Sequence, residues 1–179
     1  MPLIDPALPM GELLQRYPAA RRTLFQQYHL GGCASCAFSQ EETLAEVCAR
    51  NGNLPVAEVI QHILAGQEED ARLQVAPREA QHMVAEGQAQ LVDLRTREEY
   101  EAVHIEGSTF FTQAMMHELP GWDRARLIIF VDHHGTRSLD AAAYFLGHGV
   151  PNVRALQGGI HAWSEEVDAS VPQYDLEPA

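Results

Sequence analysis

Two short stretches of this chain carry side chains whose types and spacing could do chemistry. The first is Cys33-Ala34-Ser35-Cys36. A Cys-x-x-Cys pair can cycle between dithiol and disulfide, hold a persulfide, or supply half of a tetrahedral metal site. The second is Asp132-His133-His134-Gly135-Thr136-Arg137-Ser138, directly after the apolar run Leu127-Ile128-Ile129-Phe130-Val131. A buried strand, a tight loop with a glycine and a helix N-terminus make a concave array of backbone N–H groups that favours an anion. Arg137 adds a positive charge there. Asp132 is itself a carboxylate, able to fill the array and cap the helix. Alternatively the loop stays a binding pocket, its preference turned by ionised Asp132 toward neutral or cationic groups.

The neighbours of each stretch decide among these chemistries. Ser39 and Glu42 read as a capping box that opens a helix just after Cys36, which favours its thiolate modestly. No arginine is adjacent in sequence, and Arg21 and Arg22 could approach only through the fold. A metal site would draw Cys48 and His29 to Cys33 and Cys36, or pool two cysteine pairs in a homodimer. Cys48, however, shares a stripe with Leu44 and Val47 and reads as core. Adjacent side chains diverge, so His133 and His134 are expected to provide loop polarity or recognition and not metal ligands. Asp93, at a strand end beside the loop, is expected to pair with Arg95 or Arg137. Trp163 and Tyr144 read as core aromatics.

The elements that must position these residues fall into two textures. Up to residue 66, apolar residues recur at helical spacing: Leu13-Leu14, Tyr17, Leu24-Phe25 and Tyr28, then Leu44 and Val47, then Val56, Val59, Ile60 and Ile63. Pro18 and Pro55 can open helices, while Gly31-Gly32 and Asn51-Gly52 can stop them. The expectation is a small all-α unit over 1–66, with little core, which a partner could help to stabilise. Residues 67–72 are polar and read as a linker. From residue 73 strands alternate with helices: a helix opened by Pro77, a strand at Gln90–Arg95, a strand at Leu127–Val131, a helix from Leu139 to Gly147, a strand at Val153–Leu156 and a helix containing Trp163. That alternation predicts an α/β unit over 73–179, its central sheet mostly parallel and flanked by helices. Ligands on such sheets sit at the carboxyl ends of strands, where Asp93 and the Asp132 loop both fall.

Composition narrows the partners. Residues 1–70 hold nine acidic and four basic residues, and 71–179 hold sixteen and eight, so both textures are acidic. Such a surface repels phosphate backbones and excludes nucleic acid as an expected partner. All twelve basic residues are arginine, which removes lysine Schiff-base and Walker-type chemistry. No apolar run approaches the roughly 20 residues of a spanning helix, so no membrane role is expected. The N-terminus lacks the basic and apolar regions of a signal peptide, and a cytoplasmic location is expected.

Residues 73–174 resemble a single rhodanese domain. The resemblance rests on Leu91-Val92-Asp93-Leu94-Arg95, Glu99-Tyr100, His104-Ile105-Glu106-Gly107-Ser108, the loop Asp132-x-x-Gly135-x-Arg137-Ser138 with Ala141-Ala142, and Leu156-x-Gly158-Gly159-Ile160-x-Ala162-Trp163, in order and at family spacing. The ending Trp163 to Val171-Pro172-x-Tyr174 resembles rhodanese domains fused to adenylyltransferases that activate sulfur-carrier proteins. The family implies a Cys-x-x-Gly-x-Arg loop that carries persulfide, and Asp132 stands in place of that cysteine. A thiolate at 132 would be stabilised and reactive, whereas a carboxylate cannot take up a sulfane sulfur. The resemblance is therefore to the inactive rhodanese modules, which bind or regulate. Residues 9–64 are similar to the small hybrid-cluster-associated redox disulfide domain, through Gly11-Glu12-Leu13-Leu14, Tyr17-Pro18, Tyr28-x-Leu30, Cys33-x-x-Cys36, Glu42-Thr43-Leu44 and Cys48.

Together these readings predict a sulfur or redox relay through Cys33 and Cys36, with a rhodanese-like unit that docks a protein partner or a small anion. Competing expectations are a non-catalytic interaction module, a sulfurtransferase in which Cys33 or Cys36 replaces the missing loop thiol, and a metal or iron–sulfur protein. No organic cofactor is expected.

Overall fold

The computed structural model describes residues 4–31 and 38–174. Cys33 and Cys36 lie outside the described residues. The chain divides into two compact units, Met1–Ala71 and Arg72–Ala179.

The first unit is built on α1 (Met10–Arg16), α2 (Ala19–Tyr28), α3 (Leu44–Arg50) and α4 (Val56–Leu73), the last running past the unit boundary. Met10, Leu13, Leu24, Leu44, Val47, Cys48, Val59 and Ile63 all bury in one cluster, a larger core than the sequence reading expected. Two local readings change. The capping box of α3 is Thr43 with Glu46, not Ser39 with Glu42. Ser39 and Glu42 do bond reciprocally, but across a turn. The chain after that turn pairs with the start of α1, through Met10 N–H to the Glu42 carbonyl and a bridge between Pro9 and Thr43, so the helix cannot begin earlier. The polar stretch 67–72 is helical, the C-terminal part of α4. Nothing after Gly66 breaks a helix there, and Asp70 is buried against Arg22 of α2, so charge in this stretch marks a packed helix and not a linker.

The second unit is a five-stranded sheet in the order β1 (Gln74–Val75), β5 (Val153–Leu156), β4 (Leu127–Val131), β2 (Ala89–Asp93), β3 (Thr109–Phe110). Every pairing is parallel. Val92 sits opposite Phe130 and Asp93 opposite Val131, which brings the ends of β2 and β4 level. The helices are α5 (Pro77–Ala85), α6 (Arg97–Ala102), α7 (Met115–Glu118), α8 (Thr136–Gly147) and α9 (Gly159–Glu166), with a 3-10 turn at Leu119–Gly121. Ile129, Val131, Leu91 and Leu156 face a cluster with Ile160 and Trp163, while Phe130, Ile128 and Val92 face one with Leu139 and Phe145. That two-sided burial is why β4 is apolar throughout. The expected helix at Leu139 begins earlier, at Thr136, so Thr136, Arg137 and Ser138 form its first turn. Tyr144, expected in the core, is 47% exposed. β1 and β3 are two-residue edge strands, too short to carry a pattern. No helix among the described residues is long and apolar enough to cross a membrane.

Candidate functional site

The site is built where β4 hands over to α8. Asp132 follows the last strand residue and is 3% exposed. Its Oδ1 accepts hydrogen bonds from the Gly135 N–H at 2.7 Å and the Ser138 hydroxyl at 2.8 Å. Its Oδ2 accepts from the Arg137 N–H at 2.9 Å. The carboxylate thus lies within its own loop, on the donors that would otherwise serve a bound anion. Three charge-assisted hydrogen bonds satisfy it and cap α8 at once.

Glycines allow this closure. Gly135 is left-handed, with φ +89°, and an added Cβ would lie 2.8 Å from the Gly158 nitrogen. The other side of the loop rests on the start of α9, where the Ile160 and His161 N–H groups donate to the Asp132 and His133 carbonyls. Gly159 also has positive φ, and a Cβ there would run into those same two carbonyl oxygens. Gly159→Ala is therefore expected to destabilise the second unit by about 2–4 kcal/mol, from backbone strain and a clash that rigid backbone cannot relieve. Thermal unfolding checks this, and a loss below about 1 kcal/mol would mean the loop can move off α9.

Beside the loop, Asp93 and Arg95 make a fully buried bidentate pair, with Arg95 Nη2 to Oδ2 at 2.7 Å and Nε to Oδ1 at 3.0 Å. Arg137 is not part of it and instead donates to the Leu94 carbonyl. Arg95 also donates to the Val103 carbonyl and to the Tyr174 hydroxyl, the latter at 2.6 Å. Tyr174 in turn donates to Glu99 Oε1 at 2.9 Å. Burial opposes the Arg95 charge, but the hydrogen bond and charge of Asp93 outweigh it and hold the guanidinium above its usual range. Burial also opposes the Glu99 charge. The Thr96 N–H and the Tyr174 hydroxyl nevertheless keep that carboxyl below the usual range.

The histidines do not diverge as expected. The rings of His133 and His134 meet edge-on at 4.1 Å, and His134 lies 5.3 Å from the ring of His161. No group of histidine, cysteine or acidic side chains among the described residues has the geometry to hold a metal. His134, Thr136 and Arg137 are exposed, whereas His133 is buried. Tyr174, Glu99 and His161 are the members that reading by motif missed as functional. Their only sequence signal was the Val171-Pro172-x-Tyr174 ending and the Glu99-Tyr100 pair, which carried no role until the fold joined them.

Of the cysteines, Cys48 is described. It is 1% exposed in the core of the first unit, and burial pushes its thiol pKa up. His29 is exposed at the left-handed cap of α2. Gly31 and Phe38, which bracket Cys33 and Cys36 in sequence, line a cleft of about 200 Å³ that also has Met10, Leu14, Arg21 and Gln40 in its walls. The fold thus brings an arginine to the residues flanking the pair, which sequence alone could not.

Comparison with known proteins agrees with the fold of the second unit. The rhodanese-like domain model matches residues 76–166. A thiosulfate sulfurtransferase GlpE from Pseudomonas paraeruginosa is 33% identical over 95 residues, spanning 52% of this chain and 86% of that protein. The GlpE of Pseudomonas entomophila is 32% identical over 104 residues, 58% of this chain and 94% of that one. Among solved structures, a reduced Bacillus anthracis CoADR-RHD matches with TM-score 0.52 at 18% identity, over 75% of this chain and 23% of that chain, a likeness of fold.

Proposed function

Because the chain belongs to the rhodanese-like domain family through residues 76–166, we propose that it is a sulfur or redox relay whose reactive sulfur is carried by Cys33 and Cys36. Its rhodanese-like unit lacks thiosulfate sulfurtransferase activity at its own loop and docks a protein partner from sulfur or redox metabolism. One observation carries the reading: the Asp132 carboxylate occupies the loop, held by Gly135, Arg137 and Ser138. Taking sulfur from thiosulfate needs a thiolate that attacks the outer sulfur, forms a persulfide and releases sulfite. A carboxylate saturated by three donors supplies no such nucleophile, and it leaves the loop poorly disposed toward a second anion.

Thiol chemistry then falls to the remaining cysteines. Cys48 is buried with its thiol held protonated, and thiols are inert in that state. Cys33 and Cys36 remain, flanked by residues that share a cleft with Arg21. On the rhodanese-like side, exposed His134, Thr136 and Arg137 give a polar rim for a partner to contact.

The test is intact mass with peptide mapping on anaerobically purified protein, before and after exposure to a persulfide donor or a mild oxidant. The expected result is one added sulfur, or a Cys33–Cys36 disulfide, with Cys48 unchanged. Cys33→Ser and Cys36→Ser each abolish the disulfide, and the added sulfur is lost with whichever of the two carries it. Three plain thiols that resist both reagents would remove the relay and leave a non-catalytic interaction module.

A further inference from the structure

The chain beyond α9 turns back over the loop and is held at two places. The Ser164 hydroxyl donates to the Val171 carbonyl at 2.5 Å, and Val171 is buried in the cluster with Ile160 and Trp163. Three residues on, the Tyr174 hydroxyl sits between Arg95 and Glu99, while its ring stands edge-on to His133, 4.5 Å between centroids at 89°. His133 is 6% exposed. Both of its ring nitrogens are sealed from solvent, and neither has a hydrogen-bond partner among the described residues.

A buried imidazole with no partner carries a cost similar to a lost hydrogen bond even when neutral. Protonated, it must find acceptors for two N–H groups. The groups that face it are poorly suited to that. His134 on the same loop, His161 on α9 and the Arg95 guanidinium after β2 are cations or potential cations, and the Tyr174 ring from the tail stands perpendicular to it and gives neither ring nitrogen a hydrogen-bond acceptor. Glu99 on α6 is the opposing charge among the described residues that act on His133, and it is already bound to Tyr174 and to the Thr96 N–H. Desolvation first, and then His134, accordingly lower the His133 pKa below its ordinary value. Of the walls around His133, the loop and α9 are held by backbone hydrogen bonds, whereas the tail beyond Val171 hangs on one tyrosine.

We propose that residues 172–174 form an acid-released strap, seated over the Asp132 loop at neutral pH and let go when His133 takes up a proton. Release uncovers the groove between Arg95, Glu99 and His133 beside the loop. The sign follows from linkage: a histidine whose pKa is lowered by closure favours the closed strap above its open-state value of about 6.5, and that preference falls away as pH drops below it. The strap goes beyond the relay reading and holds whether or not Cys33 and Cys36 react.

The experiment is an NMR titration of the full chain from about pH 8 to about pH 5, following His133 and Tyr174 ring resonances. His133 should titrate below the ordinary histidine value, and Tyr174 should move to its free-peptide position with the same midpoint. Tyr174→Ala should raise the His133 midpoint toward that of an ordinary histidine, since linkage is reciprocal and the charges of His134, His161 and Arg95 stay in place. His133→Phe should keep Tyr174 seated throughout. If His133→Phe does not fold, the Tyr174→Ala shift decides alone. A Tyr174 ring that stays seated once His133 is protonated, or a His133 midpoint unmoved by Tyr174→Ala, overturns the strap.

Discussion

Asp132→Cys is expected to turn the loop into a persulfide-forming site, with thiosulfate:cyanide activity rising at least about a thousandfold above the parent protein. The groups that now hold the carboxylate would meet a thiolate: the Gly135 and Arg137 N–H groups and the Ser138 hydroxyl. They lie at the start of α8, a helix of twelve residues whose N-terminus favours negative charge. A cysteine so placed has a lowered pKa and is largely thiolate at neutral pH. It attacks the outer sulfur of thiosulfate and expels sulfite, and cyanide then removes the sulfur as thiocyanate and regenerates the thiolate. Asp132→Ser should stay at background, since it offers a hydroxyl with no base. The comparison is best made with Cys33 and Cys36 changed to serine, so that any turnover belongs to position 132. If folded Asp132→Cys stays inactive, adding Tyr174→Ala tells whether the strap was blocking the loop. Inactivity in both would mean that the loop has diverged beyond its nucleophile.

Arg95→Ala is expected to cost about 3–5 kcal/mol, because it strands the Asp93 carboxylate in the core without its partner. Asp93 is fully buried, and Arg95 is its bidentate partner as well as the donor to Val103 and Tyr174. For a unit of this size the melting temperature should fall by roughly 10–20 °C. The double substitution Asp93→Leu with Arg95→Met should recover much of that loss, since an apolar pair removes both charges together. Calorimetry of the three variants measures the effect. A single-variant loss near 1 kcal/mol would show that water reaches Asp93 and that the pair is not dry.

The rhodanese-like unit was largely legible before folding, for reasons that can be named. β4 is apolar along its whole length because both of its faces are covered, so Leu127–Val131 could be bounded to the residue. Pro77 starts α5 where a missing N–H costs nothing. The loop was legible because Gly135 and Gly158-Gly159 must be glycine: positive φ and backbone within a Cβ's reach leave no alternative. Where sequence reasoning slipped, two local signals competed and a long-range contact chose. Ser39-x-x-Glu42 and Thr43-x-x-Glu46 are both capping boxes by composition, and pairing of residues 40–43 with the start of α1 decided for the second. Residues 67–72 could be a solvated linker or a helix, and the Arg22–Asp70 pair decided for the helix.

The sequence by itself determined the chemistry class. It put a carboxylate where the family resemblance implies a thiolate, placed that residue at the end of a buried strand, and set the cysteine pair far from it in sequence, at Cys33 and Cys36. Those are facts of residue type and local order, which do not depend on what lies across the fold. Only the tertiary structure decided that Asp132 turns inward onto its own loop, that Cys48 is sealed in the first unit's core, and that Tyr174 reaches back to Arg95, Glu99 and His133. Each of those depends on desolvation and on partners distant in sequence, Tyr174 being 79 positions from Arg95. The energy of a buried polar group is set by who surrounds it, and that is the quantity a linear pattern does not contain.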